Sequence, residues 1–141
     1  MTTQPRLKDW DRRLARVTEE HLATPGEWGV SDCIVTAAAC VAAVTGVDIM
    51  APWRGRYKTE AGAARLMRKE GCANVEDVLG KLFGLPPIGR LMARRGDLVV
   101  VERNCQLCAG YICEYGAAVK TETGLVFLPQ TETRSAFRVG I

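Results

Sequence analysis

The apolar positions in the first half of the chain recur at helical spacing. A first stripe, which stops before a Thr-Pro-Gly sequence, consists of Trp10, Leu14, Val17, His21 and Leu22. This stripe predicts an amphipathic helix with its arginines in water. A second, uniformly apolar helix is predicted from an N-cap at Ser31 to Gly46. Thr59 and Asn74 are predicted to cap two further helices.

Beyond Gly96 the pattern changes to short β segments. The predicted strands cover residues 97–102, 107–115, 117–120, 125–128 and 136–139. Helices followed by antiparallel strands are typical of an α+β fold. Because the chain has 141 residues, no internal repeat and no linker-like segment, we expect one domain over residues 1–141.

Composition narrows the class of protein. Apolar residues make up 48% of the chain and charged residues 25%, which is the balance of a globular domain with a buried core. No apolar run is long enough to span a membrane, and the charged start is unlike a secretory segment, so we expect a cytoplasmic site of synthesis. The six cysteines are then expected to be thiols. A net charge of +3 with dispersed arginines argues against nucleic-acid binding.

Cys33 is the sharpest candidate for chemistry. It falls in the first turn of the second predicted helix, where the macrodipole lowers a thiol's pKa and favours the reactive thiolate. The structural alternative is a small buried residue, as expected for Cys40 two turns further along the same helix.

Two short sequences resemble those of a known family. Trp-Gly-Val-Ser-Asp-Cys at 28–33 leads into the second helix, and Arg-Gly-Asp-Leu-Val-Val at 95–100 opens the sheet. They resemble the NlpC/P60 papain-like family, in particular its small, diverged members encoded among phage and prophage tail genes. Further shared segments lie at 45–48, 54–57 and 124–129. The resemblance implies a papain-like NlpC/P60 fold, with N-terminal helices packed on a C-terminal antiparallel sheet.

The resemblance also implies roles for two cysteines. Cys33 matches the family's nucleophile, whereas Cys108 occupies the position of the catalytic histidine that opens the second strand. A thiol is a poor general base near pH 7 compared with imidazole. Cys33 is then a vestigial nucleophile in a pseudoenzyme without a cofactor. By this resemblance the protein is a phage tail assembly or tail-tip (baseplate) component, located in the virion and contacting other tail-tip and hub proteins.

Two alternatives remain open. The first is an active cysteine amidohydrolase or peptidoglycan peptidase that uses Cys33 as the nucleophile. Its general base would be His21 or a residue of a neighbouring subunit. His21 lies on the apolar stripe of the first helix, however, and that position favours a structural role. The second is a metal or iron-sulfur structural domain ligated by Cys105, Cys108 and Cys113. Side chains alternate along a strand, so Cys108 and Cys113 are expected on opposite faces.

One loop is a candidate interface. It combines aromatic and basic residues, the types enriched in protein contacts, at Trp53, Arg54, Arg56 and Tyr57. The alternative is a solvated loop with an aromatic anchor. We expect a partner surface, if there is one, to include this loop.

Overall fold

The computed structural model describes residues 4–141, in which four helices precede a six-stranded sheet. This architecture confirms the predicted α+β class. The helices are α1 (Trp10–Leu22), α2 (Cys33–Thr45), α3 (Glu60–Lys69) and the short α4 (Val75–Asp77). Within the described residues, none of the helices has the length and apolar character needed to cross a bilayer.

Helix α2 forms the centre of the molecule. Nine of its thirteen residues are buried, as its uniform apolar sequence predicts. It ends where Gly46 adopts a left-handed conformation with φ 81° and donates its N–H to Ala42. Its predicted N-cap at Ser31 is wrong by one residue, because the side chain of Asp32 accepts the hydrogen bond from the Val35 N–H.

The caps predicted for the next two helices are confirmed. The side chain of Thr59 accepts a hydrogen bond from Gly62 N–H at the start of α3, and Asn74 accepts one from Asp77 N–H at the start of α4. Helix α4 continues as a π-helical turn over Val78–Leu82 rather than as the regular helix that the sequence predicts.

All neighbouring strands of the sheet are antiparallel, in the order β1-β6-β2-β3-β4-β5. The strands are β1 (Pro87–Ile88), β2 (Leu98–Arg103), β3 (Gln106–Cys113), β4 (Gly116–Lys120), β5 (Leu125–Leu128) and β6 (Thr133–Phe137). Strand β1 was not predicted, because a strand of two residues is too short to show an alternating pattern of apolar and polar side chains. The last strand begins three residues before its predicted start and ends before Val139.

The sheet separates two apolar clusters. The larger lies between the sheet and α2 and includes Ala109 and Tyr111 of β3. The smaller lies on the opposite face and includes Val99, Ile112 and Ala136. Because side chains alternate along each strand, both faces of the sheet contribute to an apolar cluster, and few strand residues are polar.

Strand β3 is longer than its neighbour β4. Pairing with β4 covers only Gly110–Cys113, whereas pairing with β2 covers residues 106–111. Residues 106–109 of β3 therefore have a strand partner on one side only. At Ala109 the start of α2 takes the place of the missing strand, since Ala109 is buried and its N–H lies against the Cys33 thiol.

Asp97 joins both ends of the described chain to the start of β2. Its side chain is fully buried, and Oδ1 accepts hydrogen bonds from Arg6 Nη2 at 3.0 Å and from Val139 N–H at 2.9 Å. Oδ2 accepts one from Arg94 N–H at 3.0 Å and lies 3.4 Å from Arg138 Nε. The carboxylate of Asp97 is thus a buried ionic hub at the start of β2.

We expect Asp97→Asn to lower the free energy of unfolding by about 3 kcal/mol or more, because it leaves the buried Arg6 guanidinium without its counter-charge. Urea unfolding followed by circular dichroism measures the change. The matched control is Asp48→Asn, which removes an exposed ion pair with Arg54 and should cost under about 1 kcal/mol. An equal loss of unfolding free energy in the two variants would contradict the role of Asp97 as a buried ionic hub.

Candidate functional site

The start of α2 is held by the carboxylate of Asp32. Its Oδ1 accepts the Val35 N–H at 2.9 Å, and its Oδ2 accepts the Gly29 N–H at 2.8 Å and the Tyr57 hydroxyl at 2.6 Å. Gly29 has φ 82°, and a Cβ there would lie 2.2 Å from the Tyr57 carbonyl oxygen. The turn before α2 therefore requires glycine, and Asp32 ties it to the loop that follows α2.

Cys33 is half-buried immediately after this cap. Burial, which outweighs the lowering effect of the Ala109 and Ile34 N–H groups, raises the pKa of its thiol to about 12, with smaller contributions in the same direction from Cys108 and Asp32. The expected lowering of the pKa by the helix N-terminus is therefore wrong. At neutral pH the thiol is protonated and is not an activated nucleophile.

Cys108 lies near enough to Cys33 to influence its pKa electrostatically. It is half-buried in β3, and burial raises the pKa of its own thiol. The backbone of β3 therefore lies beside Cys33, but alternation along the strand puts the Cys108 side chain on the face of the sheet opposite Ala109 and α2. Two protonated thiols can supply neither a nucleophile nor a general base at neutral pH.

His21 lies in a different place from Cys33. It lines a cleft between α1 and α2, together with Val35 and Ala39, whereas Cys33 lines a pocket beside α3. Burial and the nearby Lys120 lower the pKa of His21, and its Nδ1 has no hydrogen-bond partner within residues 4–141. His21 is thus a neutral, half-buried side chain, and no Cys33–His21 pair supports the hydrolase alternative.

An apolar pocket opens beside Cys33, with a volume of ≈ 330 Å³. Its apolar walls include Trp28, Met50, Trp53, Leu66, Met67, Val75, Val78, Leu82, Phe83 and Leu107. The polar side chains among its lining are few, namely Tyr57, Glu60, Asn74 and Gln106. We call this cavity the Cys33 pocket. The sequence did not predict it, although two tryptophans in the loops on either side of α2 were a usable signal.

The four residues of the candidate interface loop do not form one patch. Trp53 and Tyr57 line the Cys33 pocket, where Trp53 packs 6.1 Å from the Phe83 ring. Arg54 pairs with Asp48 at 2.6 Å and lines the α1/α2 cleft instead. Trp53 and Tyr57 are thus half-buried at the pocket, whereas Arg54 and Arg56 are exposed.

The three cysteines of the metal alternative are separated. Cys105 is exposed in the turn between β2 and β3, Cys108 is half-buried, and Cys113 belongs to the main core. Cys113 also accepts a hydrogen bond at Sγ from Tyr115 N–H. In the part of the chain that the structure describes, no three His, Cys, Asp or Glu side chains are grouped to hold a metal ion.

Residues 5–139 match the family model described as a domain of unknown function, DUF6950. The match spans nearly the whole α+β domain, including Cys33, Cys108 and the Cys33 pocket, and the chain belongs to this family. No curated protein matches the chain. No solved structure matches it either.

Alkylation by iodoacetamide should distinguish the thiols. We expect exposed Cys105 to react fastest, while Cys33 reacts slowly and its rate keeps rising with pH up to at least 10, because a raised pKa leaves little thiolate below that pH. Peptide mass spectrometry between pH 6 and 10 measures each site, with guanidinium-unfolded protein as the control. A Cys33 rate that reaches its plateau below pH 8 would mean an activated thiol.

Proposed function

We propose that this protein is a phage tail assembly or tail-tip component built on a degenerate papain-like NlpC/P60 domain. The observation that carries the proposal is the pair of protonated thiols, Cys33 and Cys108, at the positions of the family's nucleophile and base. Such a pair removes the chemistry that the resemblance would otherwise predict. The domain then acts by binding other tail-tip and hub proteins in the virion.

The position of Cys33 in the fold supports the papain-like part of the proposal. It opens a buried helix, α2, that packs on an antiparallel sheet, and it lies against the backbone of Ala109 in β3. Cys108 precedes Ala109 in the same strand. The resemblance implies a nucleophile helix beside the histidine strand, and the backbones of α2 and β3 fit that arrangement, whereas the Cys108 side chain turns to the opposite face of the sheet.

The surface beside Cys33 supports a binding role. The Cys33 pocket is bordered by Trp28, whose side chain is 42% exposed, and it includes Trp53 from the candidate interface loop. Exposed aromatic residues around a concave apolar surface are typical of protein contact sites. The assignment of the partners to a phage tail rests on the sequence motifs at 28–33 and 95–100.

The purified protein should leave peptidoglycan fragments and model amides uncut between pH 5 and 9. Cys33→Ala should give the same background rate as the unmodified protein, because the thiol is protonated and no base adjoins it. Product release followed by mass spectrometry is the measurement. Turnover by the unmodified protein that is absent in Cys33→Ala would contradict the proposal and support the hydrolase alternative.

If the protein acts in assembly, tail formation should require the protein but not the Cys33 thiol. In a phage or prophage carrying this gene, its deletion should yield particles without functional tails, and plasmid-borne unmodified protein and Cys33→Ala should restore them equally. Electron microscopy and plaque counts measure restoration, and mass spectrometry of purified virions tests for the chain. Normal tails after deletion would reject a role in assembly.

A further inference from the structure

Helix α1 carries different charges on its two sides. The side that faces a groove between α1 and the sheet consists of Asp11, Leu14, Ala15, Thr18, Glu19 and Leu22. The residues of α1 that line the α1/α2 cleft are instead Arg13, Arg16, Val17, Glu20 and His21. Because a helix has about 3.6 residues per turn, these two sets lie on opposite sides of α1. The groove side of the helix is acidic, whereas the cleft side carries arginines.

The turn between β3 and β4 adds to the groove side. Glu114 and Tyr115 form this two-residue turn, and Tyr115 is 62% exposed. Its ring packs against Phe127 of β5, with the two centroids 5.2 Å apart. Glu114 and, to a smaller degree, Glu19 raise the pKa of the Tyr115 hydroxyl, because nearby carboxylates disfavour the phenolate. We call the exposed side chains at this place the acidic face: Asp11, Glu19, Leu22, Glu114 and Tyr115.

The carboxylates of the acidic face have no cationic partner in their own chain. Among the ion pairs that residues 4–141 form, none includes Asp11, Glu19 or Glu114. Arg95 also lines the groove, but its Cζ lies 5.5 Å from the centroid of the Trp10 ring. The described residues of the groove thus include three carboxylates and one arginine, in a chain of net charge +3. This local negative charge favours contact with a basic surface.

A basic concave surface lies on the other side of α1. The α1/α2 cleft has a volume of ≈ 560 Å³, which is within the range of about 300–1,000 Å³ for ligand sites and leaves room for one tyrosine ring. Its apolar floor comes mainly from small residues of α2, and Val30 beside them is 64% exposed. The charged side chains along the cleft are Arg13, Arg16, Glu20, Asp48 and Arg54.

Two of these arginines are available to a second molecule. Arg54 and Asp48 already form an ion pair at 2.6 Å, which leaves Arg13 and Arg16 beside the single carboxylate of Glu20. Arg13 Nε donates to a backbone carbonyl of α2 at 3.0 Å, but no ion pair in the described part of the chain includes Arg13 or Arg16. The rim of the cleft along α1 is therefore basic and complementary in charge to the acidic face.

We infer that this protein self-associates head to tail, with the acidic face of one copy seated in the α1/α2 cleft of the next. The Tyr115 ring packs on the apolar floor, and the carboxylates of the acidic face approach Arg13 and Arg16. Because the two surfaces differ and lie on opposite sides of α1, the contact repeats into a ring or an open chain. This inference does not rest on the proposed function, since the described residues that line these surfaces differ from those of the Cys33 pocket.

Sedimentation velocity of the purified full chain tests the association. Between about 10 μM and about 1 mM, where weak contacts form, we expect the average sedimentation coefficient to rise beyond that of a dimer. Raising sodium chloride from about 0.01 M to about 1 M should weaken the association, because the Debye length falls from about 30 Å to about 3 Å. A thiol reductant prevents disulfide dimers through the exposed Cys105. A monomer at every concentration in low salt, or association that salt leaves unchanged, overturns the inference.

Matched charge reversals test the cleft. Arg16→Glu should weaken the association on the order of tenfold or more, because carboxylates then face each other across the contact. Arg65→Glu changes the net charge equally on the exposed side of α3, outside both surfaces, and should not weaken it. Both substitutions keep a strong helix former, and circular dichroism checks the folding of each variant. Equal association of the two variants overturns the inference.

A mixture of two variants tests the head-to-tail geometry. The first, Arg16→Glu with Val30→Asp, has a defective cleft and an intact acidic face. The second, Glu19→Lys with Tyr115→Ser, has a defective acidic face and an intact cleft. At concentrations where neither variant associates alone, their equimolar mixture should form a dimer and nothing larger, because only one intact contact is possible. A mixture that stays monomeric, or that grows beyond a dimer, overturns the inference.

Discussion

The buried carboxylate of Asp97 sets the arrangement on which the rest of the structure depends. It accepts a hydrogen bond from the guanidinium of Arg6, whose Nη1 also donates to the Arg95 carbonyl at 2.6 Å and whose Cζ lies 4.4 Å from the centroid of the Trp10 ring. Gly96 makes room for this side chain, since a Cβ there would lie 2.8 Å from Arg6 Nη1. A buried ion pair contributes little net stability, but removing one partner is costly because it leaves the other charge buried and unpaired. The Asp97–Arg6 pair therefore favours the one arrangement of the chain ends and the sheet in which both charges are paired.

The same region positions α2 and, through it, Cys33. Cys40 Sγ lies 3.5 Å from the Gly96 carbonyl oxygen, so the middle of α2 is fixed against the start of β2. The N-terminus of α2 then lies against β3, where the half-buried Cys33 thiol loses part of its contact with water. A helix N-terminus stabilises a charge by about 0.3–1 kcal/mol, whereas desolvation of a thiolate costs on the order of several kcal/mol. Burial therefore outweighs the macrodipole at Cys33.

Local signals explain how much of the fold could be predicted from the sequence. Caps such as Thr59 and Asn74, and the glycine that ends α2, act within a few residues, so the sequence alone predicts where the helices lie. The choice between Ser31 and Asp32 as the cap depended on the turn geometry, because either type can cap a helix. The Cys33 pocket as a whole was not predictable, since four separate stretches at 28–34, 50–67, 74–83 and 106–107 contribute its walls, and the two tryptophans mark only two of them.

A binding site makes fewer demands than a catalytic one, so under the proposed function a domain that has lost its chemistry can still keep its shape. Catalysis requires a thiolate and a base at matched pKa values, whereas peptide recognition requires only a concave apolar surface and free backbone groups. An open strand edge is otherwise a liability, because it invites pairing with other chains. Here the unpaired part of β3 is only four residues long, and at Ala109 it is covered by the start of α2, where the Ala109 N–H lies against the Cys33 thiol. The helix that positions Cys33 therefore also protects the edge of the sheet, and the apolar pocket beside it is a concave surface that remains for binding.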